Sequence, residues 1–532
     1  MINIWLIREE TGEEFHIKQQ ASMQTLLAVL QEEQIYIDAF CGGSGECGRC
    51  TVRFLEGSPE PTAKERRMLS EAELEQGIRL ACAVNVGQDC KIILPSKNQE
   101  KIAVLGENVI KQTADKQMKQ DGLGASYGIA IDIGTTTLAA VLVDLSDGAQ
   151  RASASSVNHQ RAYGADVISR IQASNEGKGT LLQRSIQSDL QDLMEQLVQQ
   201  AGILREQIKK VVIVGNTTMC HLLRGLSCEG LGVAPFIPED ITLWEGTVNE
   251  LLNMTGYQAR AIIFPGISAF VGADIVAGIY ASGMDVSEKK QMLLDIGTNG
   301  EMVLGSKDGL LVTSAAAGPV FEGGNISCGV PGIPGAVTHV TLDKAAKDQS
   351  DIISSYETIQ SQSPVGLCGT GIIDVTSELV RIGMIDENGN LAEPWFETGI
   401  PVAGEKVVFT QRDVREVQMG KSAIRAGIET LLMEDTDDTS EIKVLLAGGF
   451  GYYMDVPKAI AIGLFPQSFA GQVKMIGNSA LEGAVRFLTD DKQQASARLE
   501  KIISSAREIN LAMHLAFNDL YMQHMFFEIE DK

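Results

Sequence analysis

One short motif occurs twice in this chain of 532 residues, and this repetition constrains the fold more than any other feature. Residues 128–145 read GIAIDIGTTTLAAVLVDL, and residues 293–304 read LLDIGTNGEMVL. Each copy places Asp-Ile-Gly-Thr and a polar turn between two apolar stretches that are typical of buried strands. A single turn of this kind is common by chance, but two copies that each follow an apolar strand indicate a duplicated α/β unit.

The repeated turn has the chemistry of a phosphate site. Its glycine lets the backbone approach a phosphate, and the threonine and asparagine residues that follow supply N–H and side-chain donors. A carboxylate at the strand end can hold Mg²⁺, usually through water. Two such turns that face each other across a cleft would bind a nucleotide from both sides. We therefore predict catalytic roles for Asp132 and Asp295, with phosphate contacts from Gly134, Thr135, Thr136, Thr137, Gly297, Thr298 and Asn299.

A third glycine-rich turn follows another apolar strand. Residues 444–451 read VLLAGGFG, in which Gly448, Gly449 and Gly451 would let a base and a ribose lie against the backbone. The alternative is an ordinary strand-to-helix turn. Together with the two repeated turns, this element resembles the adenosine loop of the ASKHA superfamily, which includes acetate and sugar kinases, Hsp70 and actin. The resemblance implies an RNase H-like duplicated α/β domain that binds ATP.

The N-terminal part of the chain carries a cysteine motif. Cys41-GGSGE-Cys47-GR-Cys50 places three thiols in one loop, and Cys82 occurs later in RLACAV. Glycine supplies the positive φ angles and the space that a chain needs to wrap around an iron–sulfur cluster. The first gap is one residue longer than in plant-type ferredoxins, and this spacing is similar to that of adrenodoxin-like [2Fe–2S] ferredoxins. We predict that these four cysteines ligate such a cluster.

Two alternatives apply to this motif. Zinc also suits a Cys-x₂-Cys pair with two further cysteines, but zinc sites usually combine two such pairs, and Cys82 has no partner at that spacing. Cys90, at the start of CKIILP, competes with Cys82 for the fourth position. A small buried thiol is equally suited to a strand, so Cys82 is the preferred ligand.

Three parts are expected along the chain. Residues 1–96 alternate short strands (INIWLI, FHIKQQ, TVRFLEG, CKIILP) with a helix over 23–33, a compact α+β pattern that resembles the β-grasp ferredoxins. Residues 97–125 are rich in Lys, Gln and Asp and read as a linker. From there to the end, apolar strands alternate with helices, which predicts an α/β domain with a first lobe over 126–285 and a second over 286–532.

Composition narrows the class of protein. A formal charge of -25 argues against nucleic acid and against anionic lipid as partners. The apolar stretch over 261–284 contains Pro265, four glycines and Asp274, so a buried strand, loop and helix explain it better than a membrane span. The N-terminus shows no targeting pattern, and nine unevenly spread cysteines do not suggest a disulfide framework. The expected location is the cytoplasm.

The segment VGNTTMCHLL (214–223) leaves two interpretations open. Asn216 and the threonines after it follow an apolar strand, and they either line the cleft or form an ordinary strand-end turn. His221 lies on the helix that follows, where a histidine is more often a packing residue than a base or a cobalt ligand. We therefore leave His221 out of the predicted site.

The architecture and further blocks resemble the reductive activators of corrinoid proteins in anaerobic one-carbon metabolism. The resemblance covers nearly the whole length and includes YGADVISRI (163–171), VGNTTMCHLL, AAGPVFEGGNISCG (316–329), GLCGTGIID (366–374) and AFNDLYMQHMFF (516–527). It implies that ATP hydrolysis drives single-electron transfer from a [2Fe–2S] cluster, which returns an inactive Co(II) corrinoid to Co(I) without a phosphorylated product. It also implies a corrinoid protein partner, an upstream electron donor and a homodimer.

Three other functions compete with this one. A small-molecule kinase would gain nothing from an attached cluster. A nucleotide-gated binding or chaperone module would use the cluster as a redox sensor and would not reduce cobalamin. The activators of 2-hydroxyacyl-CoA dehydratases share the ASKHA fold but bridge a [4Fe–4S] cluster between subunits and lack a ferredoxin domain, so the cysteine motif argues against them.

Overall fold

The computed structural model describes most of the chain residue by residue. The described residues are 2–9, 12–19, 24–33, 35–37, 39, 43, 45, 48–95, 125–344, 352–404, 406–435, 442–448 and 454–528. Of the predicted site residues, Cys41, Cys47, Gly449 and Gly451 lie outside this set, as does the predicted linker apart from residue 125. Within these ranges, no helix combines the length and the apolar character that crossing a bilayer requires.

The N-terminal residues form a five-stranded sheet with three short helices. The elements are β1 (Ile2–Arg8), β2 (Glu14–Gln19), α1 (Leu26–Glu32), β3 (Thr51–Glu56), α2 (Glu65–Met68), α3 (Glu71–Glu75), β4 (Ile78–Leu80) and β5 (Cys90–Leu94). The strand order is β2-β1-β5-β3-β4, and only β1 and β5 run parallel. The predicted helix over 23–33 begins at Leu26, because the Thr25 hydroxyl accepts the N–H of Ala28 at 3.3 Å and caps the helix.

The first lobe is a six-stranded sheet covered by helices. Its elements are β6 (Tyr127–Ile133), β7 (Thr137–Asp144), β8 (Gln150–Val157), α4 (Val167–Ala173), α5 (Gly179–Ala201), β9 (Ile208–Gly215), α6 (Thr217–Arg224), α7 (Glu229–Gly232), β10 (Trp244–Thr247), α8 (Val248–Leu252), β11 (Arg260–Ile263) and α9 (Ala273–Ser282). The strand order is β10-β11-β9-β6-β7-β8. The apolar stretch over 261–284 divides into β11, a loop and α9, which confirms that interpretation.

The second lobe contains a second six-stranded sheet. Its first half comprises β12 (Gln291–Ile296), β13 (Gly300–Ser306), β14 (Gly309–Ala315), β15 (Ala336–Lys344), β16 (Ile352–Thr358), β17 (Gly366–Leu367), α10 (Gly369–Arg381), α11 (Trp395–Thr398), β18 (Ile400–Ala403) and β19 (Val407–Phe409). Its second half comprises α12 (Gln411–Glu434), β20 (Lys443–Ala447), α13 (Val456–Ala461), β21 (Val473–Gly477), α14 (Ser479–Thr489), α15 (Lys492–Ser505), β22 (Ala506–Glu508) and α16 (Phe517–Gln523).

The two large sheets share one topology. The second sheet has the order β21-β20-β12-β13-β14-β22. In it, β12, β13 and β14 form an antiparallel meander with β20 parallel beside β12, just as β6, β7 and β8 form a meander with β9 parallel beside β6. Each repeated Asp-Ile-Gly-Thr turn connects the first two strands of its meander. The predicted duplicated α/β domain after an α+β unit is therefore confirmed.

A tight crossing of α9 and α14 joins the lobes. A Cβ added at Gly483 of α14 would lie 2.1 Å from the carbonyl oxygen of Ala277, and one added at Gly278 of α9 would lie 2.9 Å from Ser479 Oγ. Buried residues from both sheets belong to the same apolar core around these helices. The crossing therefore fixes the distance between the two repeated turns.

We expect Gly483→Ala to lower the free energy of unfolding, although alanine is the better helix former by about 1 kcal/mol. The added methyl group overlaps the Ala277 carbonyl oxygen, and overpacking of this kind costs about 1–3 kcal/mol. Urea unfolding followed by circular dichroism measures the change. The matched control is Gly309→Ala, where the Cβ position has no neighbour within 4 Å and the effect should stay under about 0.5 kcal/mol. A stabilised Gly483→Ala protein would contradict the tight crossing.

Candidate functional site

The carboxyl ends of β6 and β12 bring the two predicted aspartates together. Asp132 and Asp295 are the next-to-last residues of these strands, and both side chains are half-buried. Burial raises the pKa of Asp132 to about 6. A hydrogen bond from Asn478 Nδ2 to Asp132 Oδ2 at 2.7 Å acts in the opposite direction and lowers it. Burial and the charges of Asp132 and Glu322 raise the pKa of Asp295 to about 7. The two groups therefore share one electrostatic environment.

Three further carboxyl groups, which the sequence analysis did not predict, belong to this environment. Asp274 lies in the first turn of α9, where burial and the charges of Asp132 and Asp295 raise its pKa to about 7. Glu301 of β13 is paired with Asp295 across the hairpin, and burial, followed by the charges of Asp274 and Asp295, raises its pKa. Burial also raises the pKa of Glu322, which accepts a hydrogen bond from Thr298 Oγ1 at 2.5 Å.

The sequence contained features that could have pointed to these three carboxyl groups. Asp274 is the one charge within an apolar stretch, Glu301 lies within the second copy of the repeated motif, and Glu322 lies in a block of the family resemblance. Their role became visible only when the two sheets were placed face to face. We call Asp132, Asp274, Asp295, Glu301 and Glu322 the carboxylate cluster.

Among the described residues, no lysine or arginine contributes to the pKa shifts of the five carboxyl groups in the cluster. Nor do three histidine, cysteine or acidic side chains in that part of the chain meet at the spacing of metal ligands. A cation bound here would therefore complete its shell with water and phosphate oxygens, as Mg²⁺ commonly does beside a nucleotide.

The first repeated turn is held rigidly at the cleft. Gly134 donates its N–H to the carbonyl oxygen of Thr137 at 3.0 Å, and an added Cβ at Gly134 would lie 2.5 Å from that oxygen. The turn itself therefore requires glycine, besides any phosphate approach. Asn216 Nδ2 donates to Thr135 Oγ1 at 3.1 Å, which places Asn216 at the cleft. Thr135, Thr136 and Thr137 are all half-buried beside it.

The second repeated turn and the predicted adenosine loop meet at Asp295. Gly297 donates its N–H to the carbonyl oxygen of Asn299 at 2.8 Å, so this turn closes over one residue fewer than the first. Gly448 has a φ of 92°, and a Cβ added there would lie 3.1 Å from Asp295 Oδ1. The described members of the three predicted loops are thus gathered at one cleft between the lobes.

His221 does not face this cleft as a free base. Its Nδ1 lies 2.8 Å from the carbonyl oxygen of Thr217 on the same helix, and burial lowers its pKa. The ring is almost fully buried. These contacts are those of a side chain packed against its own helix.

Two of the predicted cluster cysteines lie at the same end of β3. Cys50 directly precedes β3, and its carbonyl oxygen accepts the N–H of Ala81, the neighbour of Cys82, at 2.9 Å. A Cβ added at Gly43 would lie 3.9 Å from Cys82 Cβ. Gly43, Gly45 and Gly48 have φ values of 100°, 82° and 66°. The backbone thus takes the left-handed glycine conformations that a cluster-binding loop needs.

Cys90 lies at the opposite end of β3. Gly57, the residue after β3, approaches so closely that an added Cβ would be 2.9 Å from Cys90 Cβ. Since β3 has six residues at about 3.3 Å each, Cys90 and Cys50 are separated by about 20 Å. Burial raises the pKa of the Cys90 thiol to about 11, so it stays protonated at neutral pH. The geometry favours Cys82 over Cys90 as the partner of Cys50.

Asp274→Asn should stabilise the nucleotide-free protein, and more at pH 8 than at pH 5. The pKa of Asp274 is raised from 3.8 to about 7 in the folded state. Its ionisation therefore lowers the free energy of unfolding by an amount that grows as the pH rises between these values. Asparagine has nearly the same shape as aspartate but does not ionise, so this destabilisation is absent from the variant. Thermal unfolding of both proteins across this pH range measures the difference. Equal stabilisation at both pH values would show that Asp274 carries no such penalty.

Three family profiles match the chain in succession. Residues 9–87 match a 2Fe-2S iron-sulfur cluster binding domain. Residues 127–287 match the RACo middle region, and residues 289–532 match the C-terminal domain of RACo, described as the ASKHA domain. The matches follow the order of the three largest sheets in the structure.

Individual relatives extend over most of the chain. The corrinoid activation enzyme RamQ of Eubacterium limosum is 34% identical over 433 residues, which cover 75% of this chain and 70% of that protein. The [Co(II) methylated amine-specific corrinoid protein] reductase of Methanosarcina barkeri is 24% identical over 434 residues, covering 74% and 76%. A solved structure of a reductive activator for corrinoid, iron-sulfur protein aligns with 100% of this chain and 99% of its own, at 26% identity and a TM-score of 0.67. With this coverage and identity, the chain belongs to the family of reductive activators of corrinoid proteins.

Proposed function

We propose that this chain is an ATP-dependent reductive activator that returns a Co(II) corrinoid to Co(I) by single-electron transfer. The observation that carries the proposal is the combination of two sites in one chain. The carboxylate cluster and the two repeated turns form a cleft suited to a nucleotide and its cation, while Cys50 and Cys82 lie beside a loop of left-handed glycines. A kinase needs only the first site, and a ferredoxin needs only the second.

In the cleft, we infer that the two repeated turns hold the phosphates of ATP. Thr135, Thr136 and Thr137 would donate from one lobe, and Thr298 and Asn299 from the other. Asp132 and Asp295 would hold Mg²⁺ through water, and the cation would relieve the repulsion within the carboxylate cluster. Asp274, with a pKa near 7, suits the orientation and deprotonation of the attacking water. Gly448, with Gly449 and Gly451, would accommodate the adenosine.

In the N-terminal domain, Cys41, Cys47, Cys50 and Cys82 would hold a [2Fe–2S] cluster. When bound, such a cluster supplies one electron at a time. The chain contributes small glycine residues that leave room around the thiolates, and a sheet that holds Cys50 next to the strand before Cys82. Cys90 remains a buried thiol in its strand.

Energy coupling explains why one protein needs both sites. Reduction of Co(II) to Co(I) is uphill for a [2Fe–2S] donor, and each 59 mV of unfavourable potential costs a factor of ten in a one-electron step. ATP supplies free energy if the nucleotide changes which corrinoid redox state the protein binds best. A ligand shifts an equilibrium only through such a difference in affinity. The corrinoid is the substrate, and no phosphorylated product is expected.

Further expectations stay predictions. They are the lobe boundaries at 126–285 and 286–532, the linker over 97–125, an upstream electron donor, a homodimer and a cytoplasmic location. The avoidance of nucleic acid and of membranes, argued from the charge of -25, stays a prediction too.

The decisive experiment mixes the reduced holoprotein, a Co(II) corrinoid protein and Mg²⁺–ATP and follows the cobalt absorption spectrum. We expect Co(I) to form with ATP and not without it. Asp295→Ala should slow ATP hydrolysis and Co(I) formation by about 100-fold or more, the scale of losing one preorganised charged group. The matched control is Asp308→Ala, an exposed aspartate in the β13–β14 turn. Equal Co(I) formation without nucleotide, or a phosphorylated small molecule, would refute the proposal.

A pair of cysteine variants tests the cluster ligands. Cys82→Ala should abolish the visible absorption of the [2Fe–2S] cluster, whereas Cys90→Ala should retain it, because Cys90 lies at the far end of β3. Iron content and the absorption spectrum after anaerobic reconstitution provide the measurement. Nucleotide binding should be preserved in both variants. Loss of the spectrum in Cys90→Ala with its retention in Cys82→Ala would reverse the assignment.

A further inference from the structure

One short turn, residues 158–163, contacts both functional parts of the molecule. It follows β8 and begins at the fully buried Asn158. Asn158 donates its backbone N–H to the carbonyl oxygen of Thr136 at 2.9 Å and its Nδ2 to the carbonyl oxygen of Gly134 at 2.9 Å. Both acceptors belong to the first repeated turn. Any change in that turn on nucleotide binding therefore acts directly on Asn158.

The other end of the turn contacts the N-terminal domain. Gln31 of α1 donates from Nε2 to the carbonyl oxygen of Ala162 at 2.6 Å, and Tyr163 donates its hydroxyl to the carbonyl oxygen of Gln31 at 3.4 Å. The ring of Tyr36 stacks on His159 with centroids 5.3 Å apart. In the sequence, Tyr36 precedes Cys41 by five residues. The turn thus connects the phosphate side of the cleft to the stretch before the cysteine loop.

The turn is hydrogen-bonded to α5 at two of its residues, so a displacement of the turn would involve α5 as well. His159 Nδ1 lies 2.6 Å from Asp189 Oδ1 on α5, and the backbone N–H of His159 donates to Asp189 Oδ2 at 2.9 Å. Gln160 Nε2 donates to the carbonyl oxygen of Leu182 at 2.9 Å. Such contacts leave little room for local deformation. A displacement at Asn158 is therefore transmitted to His159 and Ala162 rather than absorbed.

The same contact buries a group of hydroxyls. Burial raises the pKa of Tyr36, whose hydroxyl is hydrogen-bonded to those of Ser185 and Tyr163. A nucleotide that binds the docked and the undocked arrangement with different affinities would shift the equilibrium between them.

We propose that residues 158–163 are the docking platform through which nucleotide at the first repeated turn controls the position of the N-terminal domain. The occupants of the platform are the chain's own Gln31 and Tyr36. The proposal rests on the proposed ATP-dependent function and adds the route of its coupling. Coupling between two sites is reciprocal, so loss of docking must change nucleotide affinity.

The test uses the full-length holoprotein and a non-hydrolysable ATP analogue with Mg²⁺. Hydrogen exchange followed by mass spectrometry should show that the analogue changes exchange in α1 and residues 35–37 of the wild type. In His159→Ala, that change should be lost, and calorimetry should show a shift in nucleotide affinity of about fivefold or more. Gln31→Ala should give the same shift, and the double variant no more than either single one.

The matched control is His16→Ala. His16 stacks on Trp5 with centroids also 5.3 Å apart, but this pair lies on β1 and β2 and makes no part of the platform. It should behave as the wild type. Nucleotide binding without any exchange change in α1, or additive effects of His159→Ala and Gln31→Ala, would overturn the docking proposal alone. Absence of nucleotide binding in the wild type would overturn the proposed function and this coupling with it.

Discussion

Five acidic side chains compete for one partly dehydrated space, and the rest of the molecule is arranged around that repulsion. The carboxyl ends of β6 and β12 supply Asp132 and Asp295, and α9 adds Asp274, which the charges of both reach. Burial raises the pKa of Asp132, Asp274 and Asp295, and the charges of neighbouring carboxylates raise those of Asp274 and Asp295 further. Such a group is unfavourable for folding and favourable for binding a cation. A cation bound among these carboxylates would reduce their mutual repulsion.

The architecture maintains this arrangement by rigid contacts at its edges. Gly483 and Ala277 hold the two lobes at a fixed approach, and Asn478 caps α14 while it donates to Asp132. The first repeated turn is braced from a third direction by Asn158. A cleft with such supports presents donors and carboxylates in nearly fixed positions, as preorganised electrostatic stabilisation requires.

The parts of the fold and of the site that depend on neighbouring residues in the chain could be predicted from the sequence. The repeated turns, the glycine pair before residue 450 and the cysteine spacing each depend on residues that are neighbours in the chain, so their loops and strands were predicted. Asp274, Glu322 and Asn478 were not, because they reach the cleft from three separate elements. The sequence already favoured Cys82 over Cys90, and the register of β3 against β5 adds the distance that separates Cys90 from Cys50. The structure starts α1 at Leu26 rather than at the predicted residue 23, because Thr25 caps the helix.

The position of α14 limits how the two lobes can be expressed separately or exchanged between proteins. Although it comes from the C-terminal half, its Leu488 covers Gly128 of β6, and Lys210 of β9 donates to the carbonyl oxygen of Phe487 at 3.1 Å. The middle region expressed by itself would therefore expose a bare apolar sheet face to water. Because α14 of the second lobe covers the sheet of the first, the two lobes are structurally interdependent. Neither lobe can be exchanged between relatives unless the helix that the other lobe contributes is exchanged with it.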